Sequence, residues 1–519
     1  MLDVRQRLLT LLLWLLLVSA FSCSSQPAPD TLVMIIESSP TNLDPRVGID
    51  AFSERIDILL FDDLLTRDEH FTVRPGLAER WEIPDPLTYI FHLHHGVRFH
   101  DGRPLTSKDV KWTFDSLLQG KVRSTKAAVY RFVDHIEAPE DDRVIFKMKE
   151  PFATLLWNLS GGAMGIVPYG SREDEMTSHP VGSGPFRFVS AEQDKEVVVE
   201  RNEAYWGEKA HLERIRFAVV PDTTTRALEL RKGSADLESN ALTTDMVLTL
   251  ERDPTLVVSR GPGSILAYLA LNCRDPHLKD VRVRQALAYA INRRPMLQHL
   301  MRSFARPADS ILPPESWAYN KDVPRYEYNP ARAGQLLDQA GYPAVNRIRF
   351  HLTMKTSTEE NTRLLAAVLQ QQLREVGIAL DIRSFDFATF FSDVTKGVFE
   401  MYSLRWIGGN EDPDIFEYAF HTSKFPPHGA NRSFYSNPRL DTLIDRARGE
   451  LDQDTRKQLY AEIQTILAQD LPYINLWYID NVVVHSKRVE NLRLNASGNY
   501  DFLKTAELTS PKKVISKAP

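Results

Sequence analysis

At 519 residues the chain is far longer than one domain needs, so two or three domains are expected. Its 43% hydrophobic and 25% charged residues are ordinary for a globular protein with a sizeable core. A net charge of −6 argues against a nucleic-acid partner, and two cysteines exclude a disulfide scaffold.

Arg5 and Arg7 precede an almost unbroken leucine run from Leu8 to Val18. That run is too short for a comfortable membrane span and fits a secretory signal over residues 1–22. Ser19-Ala20-Phe21-Ser22-Cys23 follows, and residues 23–30, with Ser24, Ser25, Pro27 and Pro29, read as a flexible tether. Thr31 to Glu37 reads as a short buried strand and residues 38–45 (SSPTNLDP) as a loop. A helix is expected next, with Ile56, Leu59, Leu60 and Leu64 on one face.

The stretch from Pro75 to Phe114 is the densest in signals. It opens with a turn at Pro75–Gly76 and a short amphipathic piece ending at Trp81, after which Pro84 and Pro86 block helix continuation. Tyr89, Phe91 and Leu93 then share one strand face, and Ile90, His92 and His94 the other. Gly96 and Gly102 mark turns. Thr106 stands three residues before Asp109 and heads Val110, Phe114, Leu117 and Leu118, a capped amphipathic helix. Pro180-Val181-Gly182-Ser183-Gly184-Pro185 packs small residues where backbones approach closely. Ser183 has glycine on both immediate sides, not two residues away on each, so a nucleophile elbow is not supported.

Val283, Ala286, Leu287, Ala290 and Ile291 sit at helical spacing, and Arg284 and Arg293 read as structural ion-pair partners. Cys273, in an apolar run, reads as a small buried residue. Residues 361–376 form an amphipathic helix ended by Gly377, and Ile378 to Ile382 a strand: a helix-to-strand unit of a parallel sheet. Met401 to Phe416 reads MYSLRWIGGNEDPDIF, a strand and then a loop. Two further helices carry Leu440, Leu443 and Ile444, and Leu459, Ile463 and Leu467.

Residues suited to metal or catalytic chemistry are few. His92 and His94 at i and i+2 are able to chelate a transition metal, but with Arg98 nearby the plainer reading is a solvated strand face, and no metal is expected. No H-E-x-x-H, phosphate loop or paired-cysteine motif occurs, and no enzyme is expected.

Taken together the motifs resemble the family 5 solute-binding proteins of ABC transporters, the peptide, nickel and oligosaccharide-binding group. The resemblance rests on PGLAERW, Y-I-F-H-L, G-V-R-F-H-D-G-R-P-L-T-S-K-D-V, P-V-G-S-G-P-F, N-E-A-Y-W-G, V-R-Q-A-L-A-Y-A-I-N-R, the Y-N-P to A-G-Y segment at 328–342, and the W-x-x-x-x-x-D-P loop. It spans about Leu32 to Leu508.

The resemblance implies an α/β, periplasmic binding protein type II-like fold: two α/β lobes with a hinge and an extra inserted domain. Lobe I would comprise 31–57, 181–264 and 480–508, the inserted subdomain 58–180 and lobe II 265–479, with 509–519 a disordered tail. The implied activity is capture of a peptide or related small solute in an inter-lobe cleft, and delivery to ABC permease subunits driven by a cytoplasmic ATPase. A non-transport sensor or a chaperone-like peptide holder is the alternative. Implied ligand contacts are Pro40 and Thr41, Gly182 and Ser183, Lys355, and Arg405, Trp406, Gly409, Glu411 and Asp412 of the W-x-x-x-x-x-D-P loop. Peptide-binding relatives place an Asp where Gly409 stands, so Glu411 or Asp412 is the substitute for the ligand's ammonium, although Asp412-Pro413 also reads as a structural turn. Trp406 is either a stacking wall or core. Residues 19–23 resemble a bacterial lipoprotein box, with Ala20 where Leu is usual. That implies a lipid on Cys23 and a monomer anchored to the membrane at the periplasm or cell surface, without cofactor.

Overall fold

The structure, a computed structural model, describes residues 30–162 and 164–509. The signal segment, Cys23, nearly all of the tether and the tail beyond Thr509 lie outside the described residues.

A seven-stranded sheet runs in the order Leu256–Gly261, Asn481–Ser486, Leu237–Ser239, Thr31–Ile36, Arg214–Val219, Glu196–Arg201, Phe186–Glu192. Thr31–Ile36 lies at its centre, parallel to both neighbours and buried along its whole length. Period-two alternation explains the continuous apolar run: Leu32, Met34 and Ile36 enter one core, Val33 and Ile35 the core on the other face.

A six-stranded sheet runs Ala305–Pro307, Tyr473–Ile479, Leu266–Leu271, Met401–Trp406, Phe350–Ser357, Ile378–Phe385. The helix Glu360–Glu375 connects the last two strands, which pair in parallel with Phe350 opposite Ile378. This is the helix-to-strand unit read from the sequence. Leu269 and Leu271 pack on one side of this sheet, Tyr268 and Ala270 on the other.

A four-stranded antiparallel sheet, Ala78–Asp85, Thr88–Leu93, Arg143–Met148, Val133–Glu140, carries the signal-dense stretch. Tyr89, Phe91 and Leu93 are buried as expected, and the helix Ser107–Leu118 starts in a capping box in which Thr106 N donates to Asp109 at 2.7 Å. The piece before Trp81 is not a helical segment but part of the strand Ala78–Asp85. Pro84 is accommodated because this strand is at the sheet edge and its pairing slips between Glu82 and Asp85.

Two segments cross between the large sheets, residues 261–266 and 479–481. They are pressed together: Ile479 N donates to Ile265 O at 2.8 Å, and a Cβ on Gly263 would lie 1.9 Å from Ile479 O. A third contact crosses beside them. Phe304, from the segment leading into the six-stranded sheet, packs into the core of the seven-stranded one with Val33, Ile35 and Val484, under the Arg260 guanidinium at 3.7 Å. The four-stranded part also reaches the six-stranded part, through Trp317 N to His70 O at 3.0 Å and Ala153 N to Arg448 O at 3.1 Å. Arg293 pairs with Asp309 as read, whereas Arg284 donates to the backbone carbonyls of Leu278, Lys279 and Asp470. It works as a tie between chain segments, not as an ion-pair partner.

Candidate functional site

A cavity of about 620 Å³ opens where the two large sheets meet. Its floor is formed by Ala267 and Trp477 of the six-stranded sheet and by Ile479, where one crossing segment begins. On the side of the six-stranded sheet it lies at the carboxyl ends of two parallel strands, reached through Ser357 and Arg405, the position at which α/β sheets leave room for ligands. The start of the helix Glu360–Glu375 and Phe387 complete that wall. The opposite wall is the start of the helix Thr244–Leu250, attached to the seven-stranded sheet. The volume is within the range of small-molecule sites.

Arg405 is exposed on this cavity and makes no ion pair among the described residues. The carboxylates around it are differently occupied. Glu359 caps its helix by accepting from Thr362 N at 3.1 Å, and Asp245 lies 3.8 Å from Arg302 across the gap between the sheets. Glu360, exposed in the first helical turn, has no such partner among the described residues.

The other residues implied by the resemblance are not on the lining of this cavity. Trp406 is half-buried, stacked on Tyr268 with centroids 6.2 Å apart, and joins the core behind the wall. Gly408 and Gly409 adopt φ of 72° and 76°, and a Cβ on either would meet nothing within 4 Å. Glu411 turns toward the crossing segment and accepts from Ser264 Oγ at 2.7 Å. Burial pushes its carboxyl up, opposed by that bond and by the Arg67 charge. Asp412 accepts from Asp414 N at 2.7 Å in the D-P turn, and burial and Asp414 push it up to about 6. Lys355 donates to Asp393 at 2.6 Å and lies 5.3 Å from the Phe385 ring centroid, so its charge is already matched. Pro40 is buried, and Thr41 is held by Asp50 and Ser53 in the loop before the helix Ala51–Leu60. Gly182 is pressed on Leu60, whose oxygen would lie 2.0 Å from an added Cβ. Ser183 donates to Asp62 at 2.9 Å, as do Tyr205 and Trp206, a buried hub that ties the glycine-rich turn to its neighbours.

A second cavity, about 380 Å³, lies between the segment 62–71 and the chain around Arg493 and Lys504. Burial pushes Asp63 there up to about 6, against a hydrogen bond from Gly162 N. Burial pulls the Lys504 ammonium down, but Asp501, 2.9 Å away, together with the Asp62 and Asp63 charges raises it on balance.

The histidines of the four-stranded part face carboxylates: His92 with Glu82 at 3.0 Å, His94 with Glu79 at 3.7 Å, His95 with Asp142 at 3.5 Å. His100 is apart from them. Its Nδ1 accepts from Gly182 N at 3.2 Å and its Nε2 meets Gly184 O at 3.1 Å, which defines a neutral tautomer; burial lowers it to about 4. No group of three or more His, Cys, Asp or Glu residues suited to a metal ion occurs among the described residues.

The residues that sequence reading missed are Glu360, Leu364, Phe387 and Ile407. Their signal was weak: Glu360 and Leu364 begin an ordinary amphipathic helix, and nothing in the sequence marks Phe387 or Ile407 as facing a cavity.

A family model for bacterial extracellular solute-binding proteins, family 5 middle, matches residues 72–426. The Escherichia coli dipeptide-binding protein is 27% identical over 511 residues, covering 92% of this chain and 94% of that protein. The glutathione-binding protein GsiB of Pectobacterium atrosepticum is 30% identical over 494 residues, with the same coverages of 92% and 94%. Among solved structures, HbpA2 from Haemophilus parasuis superposes with a TM-score of 0.83 at 25% identity, over 92% of this chain and 100% of that one. DppA from Helicobacter pylori, in complex with the peptide STSA, gives 0.71 at 28%, over 92% and 98%. The fold is thus α/β and periplasmic binding protein type II-like, and the chain belongs to the bacterial extracellular solute-binding proteins, family 5.

Proposed function

We propose that this protein captures a peptide or a closely related solute in the 620 Å³ cavity and delivers it to an ABC permease. The observation that carries this reading is the position of the cavity, between strand ends of the six-stranded sheet and the start of the helix Thr244–Leu250 of the seven-stranded part, with Ile479 of one crossing segment at its floor. A solute held there touches both halves, so its binding free energy favours the closed arrangement over the open one. The halves are lobe I (31–57, 181–264, 480–508), with its inserted subdomain 58–180, and lobe II (265–479), and the crossings are the hinge. The names of the E. coli, Pectobacterium and Helicobacter relatives support a peptide-like solute.

Arg405 is suited to the peptide carboxylate, and Glu360, not the loop position occupied by Gly409, to the ammonium. The lipid on Cys23 is the proposed anchor; no helix among the described residues is long and apolar enough to cross a membrane. Isothermal titration with a panel of free di- and tripeptides is the test. Saturable binding lost on Arg405→Ala supports the reading; no heat with any peptide, from protein shown to be folded, overturns it.

A further inference from the structure

We infer that the captured solute carries at least one bulky apolar side chain. The inference rests on the peptide reading above and specifies which peptides the cavity takes.

Three large apolar residues stand uncovered on one wall of the cavity: Leu364 at 47% exposure, Phe387 at 59% and Ile407 at 73%. A single exposed apolar side chain needs no explanation, but three converging from separate elements do. Leu364 comes from the helix Glu360–Glu375, Phe387 from the start of the helix Phe387–Lys396, and Ile407 from the loop after the strand Met401–Trp406. Each is fixed by its element. Phe387 stacks on Phe391 with centroids 5.8 Å apart and an interplanar angle of 16°. Ile407 is held out of the core by its neighbours, because Trp406 packs inward on Tyr268 and Asn410 donates to Ser264 O at 2.7 Å and Ile311 O at 3.0 Å. Met301 and Trp477 extend the apolar lining toward the floor.

The charged groups of the same cavity are accounted for without this wall. Glu359 caps a helix, Asp245 and Arg302 face each other, and Arg405 and Glu360 suit the two peptide termini. Leu364, Phe387 and Ile407 offer a polar side chain no hydrogen bond, and they gain by being covered with hydrocarbon. Their concave setting between the two sheets suits a solute and not the surface of a partner protein.

The experiment compares dipeptides of equal charge by isothermal titration: Leu-Phe and Phe-Leu against Gly-Ser and Ser-Gly. Burying one large apolar side chain predicts at least tenfold tighter binding for the first pair. Ile407→Ser and Phe387→Ser, both at exposed positions, are expected to shrink that ratio to below about threefold. Equal affinity across the four peptides, or a ratio unmoved by both substitutions, overturns the apolar preference and leaves peptide capture standing. Absence of binding by all four, and by tripeptides, overturns the peptide reading and this inference with it.

Discussion

Ser264 Oγ donates a hydrogen bond to the Glu411 carboxylate at 2.7 Å, tying a crossing segment to the loop that carries Ile407 and Gly409. Asn410 fastens the same loop to Ser264 O. The loop that forms part of the cavity wall is therefore braced on one of the two segments proposed as the hinge. Burial raises the Glu411 pKa and the Ser264 bond holds it down. Ser264→Ala leaves a buried acceptor unpaired, a loss of about 1–3 kcal/mol. It also raises the folded-state pKa of Glu411 further. The variant's deficit should therefore widen as pH rises through that pKa and narrow in acid, where the carboxyl is protonated. Denaturant unfolding at acid and mildly alkaline pH checks this. In a Glu411→Gln background the pH dependence of the deficit should vanish.

Glu238 makes a wider-reaching pH prediction. It is buried in the seven-stranded sheet, and desolvation pushes its carboxyl up to about 8, opposed by the Ala241 N–H and the Arg226 charge. A raised acid pKa means that the folded state holds its proton more tightly than the unfolded chain does. Stability contributed by this group is thus complete below its ordinary value of 4.5 and is lost as pH rises toward about 8. Asp63 and Asp412, each raised to about 6, act in the same direction at lower pH. Glu238→Gln should remove the alkaline part of the decline and raise stability near pH 8 by about 1 kcal/mol or more. Melting curves across that range decide it; a variant whose stability still falls as steeply between pH 6 and about 8 contradicts the assignment.

Arg405 and Glu360 are assigned to opposite ends of the solute, so their substitutions should separate. Arg405→Ala is expected to weaken peptides with a free carboxylate about tenfold or more while affecting C-terminally amidated ones little. Glu360→Gln should show the same split between free and N-acetylated peptides. Gly409→Asp adds a carboxylate where a Cβ meets open space, at a φ of 76° that Asp tolerates at a cost of about 1 kcal/mol. It should raise the preference for a free ammonium. Titration of the matched peptide pairs reads all three.

Local features were legible in the sequence and convergence was not. The alternation from Tyr89 to Leu93, the Thr106–Asp109 box and the helix ended by Gly377 each depend on neighbours a few residues away, and each forms as read. The strand Ala78–Asp85 was obscured because Pro84 argues against regular structure and only an edge position admits it. Lys355 reads as an available cation until its partner, Asp393, arrives from 38 residues away. The cavity itself draws Thr243, Met301, Glu360, Ile407 and Trp477 from separate parts of the chain. No periodicity links them; pairing in the six-stranded sheet gathers all but Thr243, which comes from the seven-stranded part.

Cys23 lies outside the described residues, and its prediction is biochemical. If a lipid on this residue is the anchor, Cys23→Ser should appear in the soluble fraction or as an uncleaved precursor. One acyl chain alone binds membranes marginally, so the multiply acylated form is the one retained. Membrane fractionation with a signal-peptidase inhibitor checks the outcome. A correctly cleaved Ser variant that stays with the membrane rules out this anchor.

Phe304 is the remaining test of how the halves are joined. It belongs by chain position to the part built on the six-stranded sheet, yet its ring is 4% exposed inside the core of the seven-stranded sheet. Asp480 N donates to Phe304 O at 3.1 Å, so the second crossing is fastened to it, and Arg260 covers the ring. Arg302 and Ser303, just before it, hold positive φ values of 51° and 63°, a backbone that non-glycine residues adopt only where surrounding contacts impose it. Those contacts are the buried ring and its neighbours. Phe304→Ala should therefore act twice. It leaves a cavity worth about 3–5 kcal/mol in the core that holds Thr31–Ile36. If the crossings are the hinge, as proposed, it also removes a contact that restrains rotation of the halves. Phe304→Leu, which keeps most of the volume, should recover the stability but not the full restraint. Hydrogen exchange at residues 300–304 and 479–481, with small-angle scattering for the mean opening, separates the two effects. If both variants lose stability while exchange and scattering match the parent, Phe304 is a core residue only and the crossings alone set the motion.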